Sequence, residues 1–368
     1  MKIGMIGHKY VPSREGGIEV VVDNLSTRMQ EKGNNVTIFN RKRKEYEEIT
    51  EYKGCKVLNI FTINKKSLDA IVYAFFATKK AKKLAKKGEL DVLHFHAEGP
   101  CFFLNKLKKK EKRNYKVVVT IHGLDWQRGK WGGLAAKIIK HGEKNAVKYA
   151  DDIIVLSKGN QEYFKNTYNR ETVLIPNGVN TPILHEPEII KQKYNLENNS
   201  YVLFLARIVP EKGLHYLIDA WKKVKEETNT NLKLVIAGGD SHSGEYFTEM
   251  MNKVKDDDSI ITTGFVEGQT LQELFSNSYL YVLPSDIEGM PMSLLEALSY
   301  GNICLVSDIR ENKDVIDEKS YTFKHSDVND LKDKLSEIIN LNLETHKNQV
   351  IPYTWDRVVE ETLKEYKR

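Results

Sequence analysis

Short apolar runs rich in β-branched residues recur along this chain, and stretches with helical spacing separate them. Runs such as Val117-Val118-Val119-Thr120-Ile121 carry no polar face. A strand that is apolar on both sides must be covered on both sides, as in a parallel sheet flanked by helices. Strand–helix alternation implies right-handed βαβ units. Strands are predicted near 2–7, 35–40, 55–60, 91–95, 116–121, 152–156 and 172–175, with helical patterns between most of them, for example 18–32 and 134–149. The pattern restarts at Tyr201-Val202-Leu203-Phe204-Leu205-Ala206 and continues near 232–237, 260–263, 280–283, 303–306 and 321–323. A polar stretch from Asn177 to Asn199, with Pro182 and Pro187, reads as the linker. The fold class is therefore α/β, with two Rossmann-like parallel-sheet domains over 1–178 and 179–351. A last helix is expected over 352–368. Thr354 can cap it, but Arg357 at its third position excludes a full capping box. Val358, Val359, Thr362, Leu363 and Tyr366 fall on one side, and such a stripe must dock somewhere.

The chain has 368 residues, 40% hydrophobic and 10% aromatic, enough to form packed cores rather than a disordered segment. Its apolar runs fall far short of the ~20 residues a spanning helix needs, and Met1 to Gly7 is too short for a secretory apolar core. A cytoplasmic location is expected. Cys55, Cys101 and Cys304 are far apart and read as buried free thiols, with no zinc-like spacing. Asp256-Asp257-Asp258 reads as a solvated cap between a helix and a strand, so no metal site is assigned.

The net charge is +5, and two basic stretches stand out, from Lys79 to Lys87 and from Lys106 to Arg113. Over 66–87 the inner stripe would be Ile71, Ala74, Phe75, Thr78, Ala81 and Ala85, with most lysines outside it. A solvated helix face accounts for this; contact with an anionic membrane surface accounts for it equally. Aromatic residues do not interleave with these lysines in a recognition motif, so nucleic-acid binding is not indicated.

Several loops that follow predicted strands could carry chemistry. Glu288-Gly289-Met290-Pro291-Met292-Ser293-Leu294-Leu295-Glu296 leaves a buried strand and opens a helix, with Pro291 suited to the first helical position. Backbone amides at such a helix start suit a diphosphate, and the two glutamates suit sugar hydroxyls. An ordinary strand–helix turn with two solvated glutamates has the same spacing. Arg207 and Lys212 bracket a Pro-containing turn after the strand that begins at Tyr201, where open α/β sheets place ligands. Together they could hold a pyrophosphate, or they could be surface cations. Gly16 and Gly17 would allow close backbone approach before a helix, without the dinucleotide fingerprint. His122 follows another buried strand and could bond a substrate. Trp126 and Trp131, interleaved with Arg128 and Lys130, offer flat apolar faces for sugar rings beside cations. Gly238-Gly239-Asp240 fits a cleft-lining turn.

Taken as an ordered set over nearly the whole chain, these motifs resemble the retaining glycosyltransferases of GT-B fold known as glycosyl transferases group 1, or family four. The pattern from Glu288 to Glu296, with Arg207 and Lys212 upstream, carries most of the resemblance. Gly16-Gly17 and the helix opening at Trp355 also match. The stretch from His122 to Trp131 is similar to a subgroup that includes bacterial rhamnosyltransferases of cell-surface polysaccharide pathways. Asp125 stands where the family more often has Glu.

The resemblance implies two lobes facing across a cleft, with the last helix crossing back onto the first. It implies that Arg207 and Lys212 neutralise the departing diphosphate of a nucleotide-sugar donor, and that Glu296 binds the ribose. Glu288 would contact the donor sugar. Amides around Gly289, Met290, Pro291 and Met292 would hold the sugar or phosphates. His122 would lie near the reacting carbon. Gly16 and Gly17 would line the cleft, with Asp240 on the donor side, and Val266 would bond the base through its backbone. Trp126, Arg128, Lys130 and Trp131 would face the acceptor, a glycan or a polyprenyl-linked glycan. Fixed cations and amides stabilise a leaving group that gains negative charge, so no metal cofactor is required. Nucleotide-sugar 2-epimerases share this architecture, and a non-catalytic nucleotide-sugar binding protein would keep the fold; both remain alternatives at this point.

Overall fold

The computed structural model describes residues 1–14, 16–65, 68–107, 110–127, 133–240, 244–316, 320–341 and 353–368, with nothing described of the Lys110 side chain. The chain divides into two compact units, one of Met1–Gly178 with Trp355–Arg368 and one of Val179–Thr354.

Unit one begins with β1 (Lys2–Ile6), α1 (Gly17–Glu31), β2 (Asn35–Lys42), β3 (Glu51–Tyr52), β4 (Cys55–Phe61) and α2 (Asp69–Lys86). It continues with β5 (Val92–His96), β6 (Lys116–Ile121), α3 (Gly133–Tyr149), β7 (Asp152–Val155), α4 (Lys158–Tyr168) and β8 (Val173–Leu174). The strands lie in the order β3-β4-β2-β1-β5-β6-β7-β8. From β1 the chain builds outward through β2 and β4, then returns to β5 on the other side. The seam between β1 and β5 is thus the switch point, where such sheets hold ligands beyond their carboxyl ends. Val117, Val119 and Ile121 pack with Phe95, Tyr73, Ala77 and Phe164 in one buried cluster.

Unit two contains α5 (Ile189–Tyr194), β9 (Tyr201–Leu205), α6 (Leu214–Glu227), β10 (Lys233–Ala237), α7 (Gly244–Val254), β11 (Ile260–Gly264) and α8 (Gly268–Asn277). Then follow β12 (Leu280–Leu283), α9 (Met292–Ser299), β13 (Cys304–Ser307), α10 (Arg310–Lys313), β14 (Tyr321–Phe323) and α11 (Val328–Asn340). Its strand order is β11-β10-β9-β12-β13-β14, with every strand pair parallel, and its switch point lies between β9 and β12. The two sheet faces are covered by separate cores, one around Trp221 and Phe204 and one around Tyr281, Leu294 and Val306.

The final helix, α12 (Trp355–Lys367), packs on α1 in unit one. It buries Trp355, Val358, Val359, Thr362 and Tyr366, together with Glu365 where the stripe read from sequence had Leu363. Tyr353 and Thr354, placed in that last segment from the sequence, pair instead with Val179: the Val179 amide donates to the Tyr353 carbonyl at 2.9 Å.

Four other details depart from the sequence reading. First, β3 is antiparallel to β4, through a tight turn in which Lys53 (φ 45°) and Gly54 (φ 77°) are both left-handed, as a two-residue hairpin requires. Second, Pro291 is not the first helical residue of α9; its ψ of 96° makes it the extended cap before Met292. Third, Phe75 is not in the inner stripe of α2. Tyr73 and Ala77 take the buried positions, and Phe75 faces outward. Fourth, Arg113 cannot serve a basic surface. Its side chain is 1% exposed and makes a two-pronged bond to Asp151 at 2.6 and 2.9 Å. The three cysteines are buried, and burial pushes the Cys55 thiol up to about 12. Among the described residues no helix is long and apolar enough to cross a membrane.

Candidate functional site

In unit two Lys212 and Glu288 meet at the switch point, and Arg207 leaves the same strand end as Lys212. Arg207 and Lys212 lie beyond the end of β9, and Glu288 lies beyond the end of β12, its lateral neighbour. The Lys212 ammonium sits 2.5 Å from Glu288 Oε1, which also accepts the Ser285 hydroxyl at 2.7 Å. Lys212 and Glu288 expose only 15% and 6% of their side chains, so the pair is largely desolvated. Breaking one partner of such a pair costs more than the pair itself contributes.

Glycines set this approach. Gly213 is left-handed (φ 67°), and a Cβ there would stand 2.0 Å from the Pro284 carbonyl oxygen. A side chain at Gly213 would therefore push the Lys212 turn off the β12 loop. A Cβ at Gly238 would come within 1.9 Å of the Ala206 carbonyl. The Ile208 amide bonds the Gly239 carbonyl at 3.1 Å, and Ile208 forms a bridge with exposed Asp240. The backbone on both sides of Arg207 is thereby tied to the end of β10. On the other flank, the Asp286 amide donates to the Glu211 carbonyl at 2.9 Å, and the Ser307 hydroxyl donates to the Ser285 carbonyl at 2.5 Å. Asn312 then holds the Ser307 oxygens at 3.0 and 3.1 Å.

The Glu288 loop runs through buried Gly289 and half-buried Met290 into α9. The Leu294 and Leu295 amides both return to the Pro291 carbonyl at 3.1 Å. Met292 and Ser293 are left with the amides that the helix itself cannot satisfy. Tyr281 fixes this helix start, with its hydroxyl 2.7 Å from Ser293 Oγ and 3.3 Å from the Leu205 carbonyl. Glu296 is half-buried one turn further on. Half-buried Val266 follows exposed Phe265, beyond the end of β11, and Gly238 bonds the Gly264 carbonyl at 2.9 Å. The arrangement thus offers two cations, a carboxylate and a helix start within one set of loops, which suits an anionic ligand bearing hydroxyls.

In unit one, His122 follows β6 and is 9% exposed. Its Nε2 lies 3.1 Å from Nδ1 of His96, at the end of β5. The ring of His94 lies tilted against His96, with centres 4.2 Å apart, and its Nε2 bonds the Thr120 hydroxyl at 2.7 Å. Its Nδ1 lies 2.5 Å from the Tyr366 hydroxyl on α12. His8, after β1, bonds Asn40 at 2.9 Å. Burial lowers the His8 pKa to about 4 and that of His94 to about 3, and it depresses His96 strongly as well. These three rings are therefore neutral, and His8 Nδ1 and His96 Nε2 are buried with no partner among the described residues. Gly7 allows the crowding, because a Cβ there would meet the His96 carbonyl at 2.3 Å. The sequence reading took only His122. The alternation in His94-Phe95-His96, two histidines on one face of a buried strand, was the available signal.

Trp126 is fixed from behind rather than simply exposed. Its indole N–H donates to Glu143 Oε2 at 3.0 Å, and the Lys140 ammonium lies 4.0 Å from its ring centre. Glu143, fully buried, also accepts from Tyr163 at 2.9 Å, Lys140 at 2.9 Å and Tyr168. Glu98 Oε1 accepts the Asp125 amide at 3.1 Å, and burial raises the Glu98 pKa well above the usual carboxylate range. Arg128, Lys130 and Trp131 lie outside the described residues. Gly16 caps α1 in an extended conformation, with Gly17 as its first residue, and Glu19 one turn on accepts the Lys9 amide at 2.9 Å. Among the described residues no cluster of His, Cys, Asp or Glu could hold a metal ion.

Residues 186–354 match the family model for glycosyl transferases group 1, and residues 15–182 match that for glycosyltransferase family 4. A glycosyltransferase of Methanocaldococcus jannaschii is 27% identical over 327 residues, spanning 84% of this chain and 81% of the relative. The N,N'-diacetylbacillosaminyl-diphospho-undecaprenol alpha-1,3-N-acetylgalactosaminyltransferase of Campylobacter jejuni is 26% identical over 323 residues, spanning 82% and 80%. Sucrose-phosphate synthase from Thermosynechococcus elongatus has the same fold, with a TM-score of 0.78 at 19% identity over 99% of this chain and 98% of that one. Fold and matches together define a glycosyltransferase of GT-B fold that draws on a nucleotide sugar. The chain belongs to the group 1 glycosyltransferases, with a family 4 first half.

Proposed function

We propose that this enzyme retains anomeric configuration and moves a hexose or deoxyhexose from a nucleotide diphosphate donor to a hydroxyl of a glycan or lipid-linked glycan. The observation that carries the donor reading is the Lys212–Glu288 contact at the switch point, with Arg207 after the same strand and the start of α9 after its neighbour. In this reading Arg207 and Lys212 neutralise the departing diphosphate. The amides of Gly289, Met290 and Met292 hold the phosphates or sugar beside the cap formed by Pro291. Glu288 meets the donor sugar and Glu296 the ribose hydroxyls. Val266 offers backbone bonds to the base, with Asp240 nearby in the loop after β10. Preorganised charge favours the transition state over the ground state, so no metal is required.

In unit one, His122 stands near the reacting carbon, with Gly16 and Gly17 lining the ligand side and the loop of Trp126, Arg128, Lys130 and Trp131 serving the acceptor. The Campylobacter jejuni relative is named for an acceptor carried on diphospho-undecaprenol, which supports a lipid-linked acceptor here. A rhamnosyltransferase-like role in cell-surface polysaccharide synthesis belongs to the same reading, as does peripheral attachment to the inner membrane face through the lysines of α2. A panel of UDP-, GDP- and dTDP-sugars scored by thermal shift tests it, because a bound donor raises Tm by mass action. No shift with any donor, or a converted sugar released without acceptor, would overturn it.

A further inference from the structure

Five large hydrophobic residues in a short stretch of unit one are exposed: Phe61 (55%), Ile63 (38%), Leu68 (45%), Phe75 (39%) and Phe76 (38%). The aromatic rings among them, with half-buried Phe103, form a continuous edge-to-face ladder. Phe61 meets Phe76 at 5.3 Å, Phe76 meets Phe75 at 5.3 Å, and Phe75 meets Phe103 at 5.3 Å. The ladder crosses the end of β4, the outer face of α2 and the 3-10 turn over Gly99–Lys106. An apolar patch of this kind marks an interaction surface.

Helical spacing continues this face into charge. Lys79 and Lys80 lie one turn beyond Phe75 and Phe76, and Lys83, Lys86 and Lys87 follow, all exposed. Lys82 turns aside and bonds the Lys106 carbonyl, which ties α2 to the 3-10 turn. Aromatic residues at one end and lysines at the other match an anionic bilayer, where rings enter the acyl boundary and ammonium groups stay among the headgroups.

We infer that Phe61, Phe75 and Phe76 form a shallow membrane wedge, which Lys79, Lys80 and Lys83 direct to anionic lipid. The inference rests on the membrane part of the proposed function and adds its apolar half. It is independent of the donor site.

The test is sedimentation of the whole protein with vesicles of phosphatidylcholine alone and of phosphatidylcholine mixed with phosphatidylglycerol. Wild type should bind the mixed vesicles and not the neutral ones. Replacing Lys79, Lys80 and Lys83 by Ser should weaken binding roughly a hundredfold, at about fivefold per lysine. The pair Phe75→Ser and Phe76→Ser should leave a weak association that added salt abolishes, whereas wild-type binding outlasts the same salt. Both variants keep the buried Tyr73, Ala77 and Ala81 face, and a cooperative thermal unfolding transition like that of wild type, measured without ligand, would show that they fold. Equal binding to both vesicle types sinks the lysine reading. Wild-type binding by the serine pair sinks the wedge, and so does a dimer, seen without lipid, that the serine pair disrupts.

Discussion

His96 Nδ1 and His122 Nε2 stand 3.1 Å apart, so the ring predicted to work beside the reacting carbon is held by a second histidine. His96 is kept neutral by burial, and a neutral ring presents one donor and one acceptor nitrogen. The tautomer of His96 therefore determines whether His122 Nε2 faces a donor or an acceptor. His96→Ala should lower kcat roughly tenfold to a hundredfold with little change in donor KM, and should move the pH profile. His96→Gln, which can still bond, should recover part of the rate. An unchanged pH profile in the alanine variant would remove the positioning role.

The buried imidazoles also predict how unit one responds to acid. His8, His94 and His96 have folded pKa values below the usual 6.5. Between those values and about 6.5 the unfolded chain binds protons that the folded one does not. Stability is thus complete above about pH 6.5 and falls on acidification, by about 1.4 kcal/mol per pH unit for each histidine. Glu98, raised by burial, works in the opposite direction. Denaturant titrations at pH 7 and pH 5 should show His94→Gln losing less stability than wild type over that interval. Equal losses would show that His94 does not contribute.

The Lys212–Glu288 pair allows folding to be separated from chemistry. Lys212→Met leaves a buried carboxylate without its cation and should cost about 3–5 kcal/mol. Adding Glu288→Gln should restore most of that stability while activity stays low. Failure of the double variant to recover in denaturant titration would mean that the pair is not desolvated.

Arg207→Ala should lower kcat roughly 10²–10³-fold, the usual effect of removing one preorganised group from a developing negative charge. Glu296→Ala should act mainly on donor affinity, by about 1.5–3 kcal/mol for a charged hydrogen bond. Near-normal turnover in the first variant, or unchanged donor titration in the second, would contradict the assigned roles.

Gly213→Ala joins a left-handed backbone to a clash with the Pro284 carbonyl. It should cost unit two about 2–4 kcal/mol. A denaturation midpoint equal to wild type would show that the turn yields freely.

Much of the architecture could be read from the chain. The unbroken β-branched runs foretold buried parallel strands, and the restart at Tyr201 foretold a second sheet. Arg207, Lys212 and Glu288 could be placed beyond strand ends because strand ends and helix starts punctuate sequence clearly. Of the histidine chain only His122 was singled out: His94-Phe95-His96 shows two rings on one strand face, but the pairing of β1, β5 and β6 that brings His8 and His122 beside them is a long-range fact. Arg113 and Phe75 were misplaced for a related reason. Charge pattern does not reveal a buried partner such as Asp151, and helical period alone does not decide which of two adjacent residues, Phe75 or Ala74, faces the sheet.

Trp355–Lys367 closes unit one although the whole of unit two precedes it in the chain. During synthesis the first sheet emerges without the helix that shields α1 and without the hydroxyl that meets His94. The lobe made first is therefore the lobe finished last. A ribosome that stalls anywhere in the second lobe leaves the first without its closing helix.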